Sequence, residues 1–365
     1  MTDVLSPEAE LEERLREHLR QIVPPNQALA AAAARRENDL AKPRGSLGRL
    51  ESLAIQLCAV QNTSRPRHES RLVVVCAADH GVVEEGVSPY PADVTRQQIE
   101  NFQAGGGAIT TLSRTAGAKV LLLDVGVNYD FAPHPNRLDA KIAKGTKNMA
   151  KGPAMTRAEA LRSVLAGLEL VLAQPPLDLV AAGEMGIGNT TPSSAIASLY
   201  VGLTPQQATG VGSGLDPSQV ARKAAVVAKA LEVNRPDPQD PIDVLAKVGG
   251  LEIGAMTGVY LGAAVRRAAA VIDGFIGSAA ALLAEKLSPG VKSYFVAGHR
   301  SKEKAHAAVL ESLGLKPLLD LDMWLGEGSG AVAAMLIIQC AVVHFNEMRT
   351  LAEAGVHDTV EAQPD

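Results

Sequence analysis

The chain has 365 residues, of which 47% are hydrophobic, 21% charged and only 3% aromatic, and its formal net charge at pH 7 is −5. This length suffices for a large buried core. An acidic chain without a basic stripe argues against nucleic acid as a primary partner.

The N-terminal residues are acidic and amphipathic rather than basic and then apolar, so we do not expect a secretory signal peptide. The longest apolar run, 331–343, is too short to span a bilayer and predicts a buried helix. Cys58, Cys76 and Cys340 are odd in number, scattered and set in apolar stretches. We therefore expect a soluble, cytoplasmic protein whose cysteines are reduced core residues, and no membrane partner.

The first part of the chain, residues 8–65, predicts helices, because aliphatic residues recur at helical spacing within 11–22 and again within 50–60. A polar interval, 62–71, separates this part from the rest. Short apolar runs then follow, each ending in a polar loop that contains glycine. They are 71–78, 118–126, 177–183, 269–275, 292–298 and 317–323.

Alanine-rich helical stretches lie between these runs, at 157–173, 217–232 and 254–268, and residues 328–354 predict one long final helix that Gly355 ends. Alternation of apolar strand, loop and helix predicts a parallel sheet with right-handed crossovers. Continuous rather than alternating apolar strands indicate that helices cover both faces of the sheet.

The polar loops follow the predicted strands, and the carboxyl ends of parallel strands meet at one edge, where ligands bind in open α/β sheets. We therefore expect residues 79–88, 184–191, 299–301 and 326–330 to line one rim. The coincidence of these loops is more informative than any one motif.

GEMGIGNTTPSSA, residues 183–195, reads as a strand end, a glycine turn and a helix start. Gly186 and Gly188 allow backbone amides to approach a ligand closely, and the hydroxyls of Thr190, Thr191, Ser193 and Ser194 are available to cap the helix. This pattern is typical of an anion site at a helix N-terminus. The alternative is an ordinary glycine turn followed by an N-cap.

LGEGSG, residues 325–330, puts Glu327 between two glycines at the start of a long apolar helix. We expect it to be covered mainly by substrate and by Trp324. Partial burial would raise its pKa and suit it to accept a proton. The alternative is a first-turn charge that complements the helix dipole.

Other motifs predict structure rather than chemistry. Lys223 lies on an amphipathic helix, where a lysine is usually solvated, and 210–214 reads as a loop before a helix capped by Asp216. His80, His299 and His306 lack the spacing of a metal site, so we expect structural or hydrogen-bonding roles and no bound metal.

The motifs ADHGVVEEGVSPYP, TRQQIENFQAGGGAI, DVGVN, GTKNMAKGPAMT, GEMGIGNTT, TGVGSGLD, DGFIGSAAALLA, GHRSKEKAH and LGEGSGA occur in this order. Together they closely resemble the nicotinate-nucleotide–dimethylbenzimidazole phosphoribosyltransferases. The resemblance covers about residues 40–356.

The resemblance implies an α/β fold with a Rossmann-like parallel sheet, covered by helices on both faces, and a smaller helical domain built from both chain ends. It implies an N-terminal helical segment (1–66), a catalytic domain (67–330) and a C-terminal helix and tail (331–365). It further implies a homodimer that uses no metal or organic cofactor. The implied reaction moves the phosphoribosyl group of nicotinate mononucleotide to 5,6-dimethylbenzimidazole with inversion at C1′.

By the same resemblance, Glu327 is the catalytic base, and Glu184 orients the ribose or offsets positive charge at C1′. Ser88, Tyr90, Gln98 and Leu325 would line the pocket for the acceptor base. Gly186, Lys223 and Ser301 would hold the nucleotide phosphate or the nicotinate carboxylate, which for Lys223 reverses the expectation of a solvated residue. The remaining implied substrate contacts are Met185, Asn189, Thr190, Gly326 and Gly328.

Two alternatives stay open from the sequence. One is a transferase of the same fold that accepts adenine or a phenolic base. The other is a non-catalytic nucleotide-binding protein, against which the presence of Glu327 argues.

Overall fold

The computed structural model describes residues 6–212 and 214–356. Residues 1–5, Ser213 and 357–365 lie outside the described residues, and with them the C-terminal tail of the predicted last segment.

The α-helices are α1 (Pro7–Leu19), α2 (Gln27–Asp39), α3 (Arg49–Val60), α4 (Val94–Gln103), α5 (Ala108–Ala116), α6 (Arg157–Leu172), α7 (Thr190–Val201), α8 (Pro205–Ala208), α9 (Pro217–Asn234), α10 (Pro241–Val248), α11 (Leu251–Val265), α12 (Phe275–Leu287), α13 (His306–Leu313), α14 (Ser329–Glu347) and α15 (Leu351–Ala354). The strands are β1 (Arg71–Ala78), β2 (Lys119–Gly126), β3 (Arg137–Asp139), β4 (Leu179–Met185), β5 (Ala269–Ile272) and β6 (Phe295–Ala297). Short 3₁₀ helices span Gly81–Glu85 and Val291–Tyr294.

The strands form one sheet in the order β3-β2-β1-β4-β5-β6, and every pair is parallel. The prediction of a parallel sheet is confirmed. The chain winds outward from β1 in one direction and from β4 in the other, so the order reverses between these two strands. A crevice opens at such a switch point, beyond the carboxyl ends of the strands.

Two strand predictions differ from the structure. The stretch 317–323 is wrong as a strand: it makes one isolated parallel bridge, His299 to Leu319, beside the end of β6. Pro317 lacks an N–H, and Asp322 has a φ of +57°, so the stretch cannot extend that pairing. The short strand β3 was not predicted, because three residues carry no readable pattern.

Helices cover both faces of the sheet, as predicted. α6, α11 and α12 lie on one face, and α4, α5 and the first half of α14 lie on the other. Glycines allow the closest contact within the first layer. A Cβ on Gly258 of α11 would lie 1.9 Å from the Val164 backbone oxygen of α6, so only glycine fits there.

The two ends of the chain meet at α3 and α14. A small cluster of buried residues joins α2, α3 and α14 there, and consists of Ala33, Ala54, Cys58 and Phe345.

The predicted helices of residues 8–65 are confirmed as three separate helices. The single long helix predicted for 328–354 is wrong in one respect. It stops at Glu347, an isolated antiparallel bridge joins Leu40 and Thr350, and α15 follows, ended by Gly355 with a φ of +65°.

α14 is the one helix in the described part of the chain that is long and apolar enough to cross a membrane. Of its 18-residue apolar window, 56% is buried inside the protein, so we assign it to the core. Its outer face is exposed at Leu336 and Cys340. The expectation that all three cysteines are core residues is therefore wrong for Cys340, whereas Cys58 and Cys76 are buried and free.

Candidate active site

A cavity of about 420 Å³ opens at the carboxyl ends of β1, β4, β5 and β6. Loops from each predicted rim segment line it, so the expected gathering of polar loops is confirmed. The predicted site residues that line it are Ser88, Tyr90, Gln98, Glu184, Met185, Gly186, Asn189, Thr190, Ser301, Leu325, Gly326 and Glu327. Lys223 and Gly328 lie behind this lining.

The loop that carries Glu327 has an unusual backbone. Gly326, Glu327 and Gly328 have φ values of +89°, +62° and +92°, so three successive residues are left-handed. A side chain in this conformation costs about 1–2 kcal/mol, and the central position nevertheless carries a glutamate. A Cβ on Gly326 would lie 2.1 Å from Glu184 Oε1, which excludes any larger residue there. The two glycines therefore let the loop press Glu327 against β4.

The Glu327 carboxylate lies in the cavity wall and is 8% exposed. Its Oε2 accepts a hydrogen bond of 3.1 Å from the Ile109 N–H at the start of α5. Burial raises the pKa of this carboxyl above its usual value, the Ile109 N–H opposes the shift, and the charge of Asp273 adds to it. A carboxylate with a raised pKa is a stronger base. Trp324, the expected cover, is 55% exposed, and α5 takes that place.

Glu184 ends β4 and is 7% exposed. Its Oε2 accepts a hydrogen bond from the Asn189 side-chain amide, and its Oε1 accepts one of 3.2 Å from the Glu327 N–H. Burial raises the pKa of Glu184 to about 8, against the lowering effect of these two donors. The ligand-free protein therefore holds Glu184 mainly protonated at neutral pH.

The other end of the cavity is suited to an anion. Lys223 of α9 is 1% exposed, and its Nζ donates a 2.6 Å hydrogen bond to Thr190 Oγ1 at the start of α7. Burial lowers the pKa of Lys223 to about 8, against the opposing charge of Glu303. A helix N-terminus beside a buried lysine favours a phosphate or a carboxylate.

The predicted caps of α7 differ from the structure. The N-cap is Asn189, whose side chain binds Glu184 rather than the helix. Ser193 and Ser194 donate to the carbonyl oxygens of Asn189 and Thr190, one turn back. The hydroxyls of both serines are thereby occupied within the helix. Of the four hydroxyl residues expected at the start of this helix, Thr190 is the one that lines the cavity.

Ser301 is held by a buried histidine. Its N–H donates a 2.8 Å hydrogen bond to His306 Nδ1, while His306 Nε2 lies 2.9 Å from Ser278 Oγ. Burial lowers the pKa of His306 to about 3, so the ring is neutral and donates from Nε2. The predicted structural role of this histidine is confirmed. His80 likewise binds a buried carboxylate, Glu252, at 2.8 Å.

The mouth of the cavity is apolar and open. Tyr90 and Leu325 are 49% and 57% exposed, and the Ser88 hydroxyl accepts a hydrogen bond from the Tyr90 N–H. Gln98 lies on α4 at the same mouth. An apolar surface with an exposed tyrosine favours contact with an aromatic ring.

The sequence did not identify Asp273, which follows β5, or Glu303 as a site residue, and it placed His299 on the rim with only a structural or hydrogen-bonding role. All three line the cavity. Asp273 lies inside the predicted strand 269–275, whereas the observed strand ends at Ile272, so the rule for loops that follow strands did not reach it. Across the described residues, no group of three His, Cys, Asp or Glu side chains is arranged to hold a metal ion.

Comparisons of the sequence and of the structure with known proteins lead to the same family. A phosphoribosyltransferase family model matches residues 22–356. The nicotinate-nucleotide–dimethylbenzimidazole phosphoribosyltransferase of Desulforudis audaxviator is 51% identical, with 94% of this chain and 98% of the relative covered. The enzyme of the same name from Chloroflexus aggregans is 49% identical, with 95% and 99% covered. The crystal structure of CobT from Thermus thermophilus superposes with a TM-score of 0.87 at 45% identity, covering 90% and 99%.

Proposed function

This chain belongs to the family of nicotinate-nucleotide–dimethylbenzimidazole phosphoribosyltransferases, and from that membership we infer how its residues carry out the reaction. The enzyme moves the 5-phosphoribosyl group of nicotinate mononucleotide to 5,6-dimethylbenzimidazole and gives α-ribazole 5′-phosphate and nicotinate. The reaction belongs to cobalamin biosynthesis.

The chemistry requires a base more than an acid. Nicotinate bound through its ring nitrogen is a pyridinium, so the C1′–N bond breaks with both electrons going to nitrogen, and nicotinate leaves without a proton. C1′ passes through an oxocarbenium-like state. One nitrogen of the benzimidazole then bonds to C1′ from the opposite face, which inverts the configuration from β to α. Its other nitrogen must lose a proton.

Glu327 takes that proton. The observation that carries this assignment is a largely buried carboxylate with a raised pKa, held in the cavity wall by the Ile109 N–H on a left-handed loop. If the loop had only a structural role, a glycine would adopt this left-handed conformation at a lower cost than a glutamate. A glutamate at this position is explained by the need for a carboxylate base held in one place.

Glu184 offsets the positive charge that develops at C1′. Its pKa of about 8 belongs to the protein without substrate. A bound pyridinium is a cation beside this carboxyl, and a cation favours the charged form of a carboxylate. Binding of nicotinate mononucleotide therefore releases the Glu184 proton and supplies the negative charge where the reaction needs it.

The substrates occupy opposite ends of the cavity. The nucleotide phosphate or the nicotinate carboxylate is held by Lys223, Thr190, Gly186 and Ser301. The observation that supports this assignment is the buried Lys223 ammonium beside Thr190, at the start of α7. Ser88, Tyr90, Gln98 and Leu325 contact the benzimidazole, supported by the open apolar mouth. We place Met185, Asn189 and Gly326, which line the cavity, between these two ends, with Gly328 behind them. No metal or organic cofactor takes part.

We assign residues 1–66 and 331–365 to the smaller domain, of which the structure describes 6–66 and 331–356, and residues 67–330 to the catalytic domain. The separate cluster that joins α2, α3 and the end of α14 supports this division. Parts of α1, α3 and α14 also pack on the main core, since Leu15, Leu57 and Met335 belong to it, and Arg14 of α1 pairs with Glu169 of α6.

The enzyme acts in the cytoplasm as a homodimer. The free thiols of Cys58, Cys76 and Cys340 are compatible with a reducing compartment. The outer face of α14, with Leu336 and Cys340 exposed one turn apart, supports a subunit contact.

The test is a base-dependent assay of nicotinate release, with 5,6-dimethylbenzimidazole, adenine and a phenol offered separately and with EDTA present throughout. We expect turnover with the benzimidazole, with the α anomer as product. Preference for adenine or the phenol would move the assignment to a related transferase. Tight binding of nicotinate mononucleotide without turnover with any base would indicate a non-catalytic binding protein.

A further inference from the structure

A second buried carboxylate holds the loop that carries Glu327. Asp273 directly follows β5 and is 3% exposed. Its Oδ2 accepts a 3.2 Å hydrogen bond from the Gly328 N–H, and its Oδ1 accepts one of 2.9 Å from the Ala331 N–H. Both carboxylate oxygens are thus used by backbone amides at the start of α14, where a negative charge is also favoured by the helix dipole.

The Gly328 amide belongs to the last residue of the left-handed stretch 326–328, and the Ala331 amide lies in the first turn of α14. On the strand side, Glu184 accepts the hydrogen bond of the Glu327 N–H. The backbone of Glu327 is therefore held between a carboxylate on β4 and one after β5. Each of these strands is a rigid part of the sheet, so the loop cannot shift along the cavity wall without losing these bonds.

His299 supports Asp273 from the end of β6. Its Nε2 lies 3.7 Å from Asp273 Oδ1, and the ring is 2% exposed. The ring also packs directly against the first turn of α14, since a Cβ on Gly330 would lie 2.0 Å from His299 Cδ2. His299 thereby limits the movement of the Asp273 carboxylate and of α14, whose first amides bind that carboxylate.

We propose that Asp273 is a positioning residue for Glu327: it fixes the left-handed loop through the Gly328 and Ala331 amides and places the base against the acceptor nitrogen. The inference rests on the proposed role of Glu327. Asp273 also lines the cavity, so a direct contact with the ribose is the rival role. The occupation of both its oxygens by backbone amides favours positioning.

The experiment is a double-mutant cycle between Asp273→Asn and Glu327→Gln, with kcat and KM for nicotinate mononucleotide measured for all four proteins. The amide keeps the size of the side chain but has one acceptor oxygen instead of two. We expect kcat to fall about 10- to 100-fold in the parent background, the usual effect of a misplaced catalytic group. We expect KM to change less than about threefold, and the substitution to have almost no further effect when Glu327 is already glutamine.

Asp124→Asn is the matched control. Asp124 is also buried, at 1% exposed, and its Oδ1 accepts hydrogen bonds from the Gly126 and Val127 amides, but at the end of β2, away from the Glu327 loop. Any loss of kcat in this variant should be the same in both backgrounds. If Asp273→Asn is too unstable for kinetics, the cycle is repeated with Asp273→Glu, which keeps the charge but displaces it.

Hydrogen exchange gives a readout that does not depend on activity. Asp273→Asn should speed amide exchange in the segment 326–331 of the ligand-free protein, whereas Asp124→Asn should leave that segment unchanged. The proposal is overturned if exchange there is unaffected, if the loss of kcat is equal in both backgrounds, or if the loss appears mainly in KM. An inactive parent protein would instead refute the proposed function, and the exchange measurement would still decide whether Asp273 orders the loop.

Discussion

Burial controls the charges of the side chains in this cavity. It raises the pKa of Glu327, raises that of Glu184 to about 8 and lowers that of Lys223 to about 8. The largest cause in each case is the loss of water around the charged form, and the charge of Asp273 adds to the shifts of Glu327 and Glu184. The ligand-free site is thus less charged than its composition suggests, and an anionic nucleotide that carries a pyridinium restores charge at both Lys223 and Glu184.

Glu184 makes the stability of the free protein depend on pH. Its folded-state pKa is raised to about 8 from 4.5, so its contribution to stability is complete below pH 4.5 and is lost as the pH rises through about 8. Glu184→Gln removes this loss. We expect the variant to gain on the order of a few kcal/mol over the parent between pH 5 and 9.

The measurement is the free energy of unfolding in urea at several pH values. Glu311→Gln, an exposed residue of α13, is the control and should follow the parent. An unchanged difference between Glu184→Gln and the parent across this range would show that Glu184 is already ionised in the folded protein.

Lys223 makes anion binding depend on pH, unlike a surface lysine, which stays charged to much higher pH. Because its pKa is lowered to about 8, we expect the affinity for ribose 5-phosphate to fall about tenfold from pH 7 to 9. This ligand lacks the pyridinium, and because Glu184 itself titrates at about pH 8, the titration is repeated in the Glu184→Gln background. Lys223→Met should bind weakly at every pH.

Calorimetric titration measures the affinity, and Lys229→Met, a substitution on the same helix, is the control. A pH-independent affinity of the parent between pH 7 and 9 would contradict a role for Lys223 in holding the phosphate.

The sequence identified most of the cavity because the relevant residues follow apolar strands or lie between glycines. Glu184 and Glu327 were found in this way. The sequence could not give the contacts between loops. That the N–H of Ile109 binds Glu327, and that Glu184 binds the Glu327 backbone, depends on the packing of segments more than 140 residues apart. Asp273 was missed because it lies within the predicted strand 269–275, although it begins the motif DGFIGSAAALLA.

At the scale of elements, the local pattern of apolar residues predicted most strands and helices correctly. The exceptions depend on contacts with residues that are distant in the sequence or on single backbone conformations. The stretch 317–323 has strand-like composition but contains Pro317 and the left-handed Asp322, so it forms only one bridge. The apolar pattern of α14 continues toward Gly355, yet the helix stops at Glu347 because Thr350 pairs with Leu40. Periodicity within one segment contains no information about such a distant partner.

A buried charge cluster connects the two chain ends. Lys42 Nζ lies 2.8 Å from Glu51 Oε1 and 3.3 Å from Glu37 Oε2, and His344 Nε2 of α14 lies 2.8 Å from Glu37 Oε1. The Lys42 side chain is 7% exposed. Lys42→Met leaves two carboxylates without this cation, so we expect a loss of about 3–5 kcal/mol of stability.

Urea unfolding at pH 7 measures this loss. Lys144→Met is the matched control, since Lys144 pairs with Asp130 at the surface and its removal should cost less than about 1 kcal/mol. Equal effects of the two substitutions would show that the cluster does not stabilise the junction of the chain ends.

At the scale of the whole molecule, the strand order places the site. The loops after β1 and β4, at the switch point, carry Ser88 and Asn189, while the loops after β5 and β6 carry Asp273 and His299. The layers of α6, α11 and α12 on one face and α4, α5 and α14 on the other leave the outer side of α14 exposed. We place the contact of the proposed homodimer on that side.

We expect a dimer of about two chain masses in analytical ultracentrifugation. Leu336→Glu places a charge on the exposed face of α14 and should give folded monomers. Val233→Glu, at a comparably exposed position of α9, should remain dimeric. A parent protein that sediments as an active monomer at all concentrations would contradict the dimer.

The central claim is that Glu327 removes the benzimidazole proton, and the most direct test compares nicotinate release by the parent and Glu327→Gln from pH 5 to 9 with saturating substrates. Because the carboxylate is the active form and its pKa is raised, the parent rate should fall as the pH drops, and it should do so above the pH expected for an ordinary glutamate. Glu327→Gln should be slower by about 10²- to 10⁴-fold and should lack this acid limb, with little change in nucleotide binding. Near-parental turnover of Glu327→Gln across the range would contradict the account and move the base to Glu184 or to water.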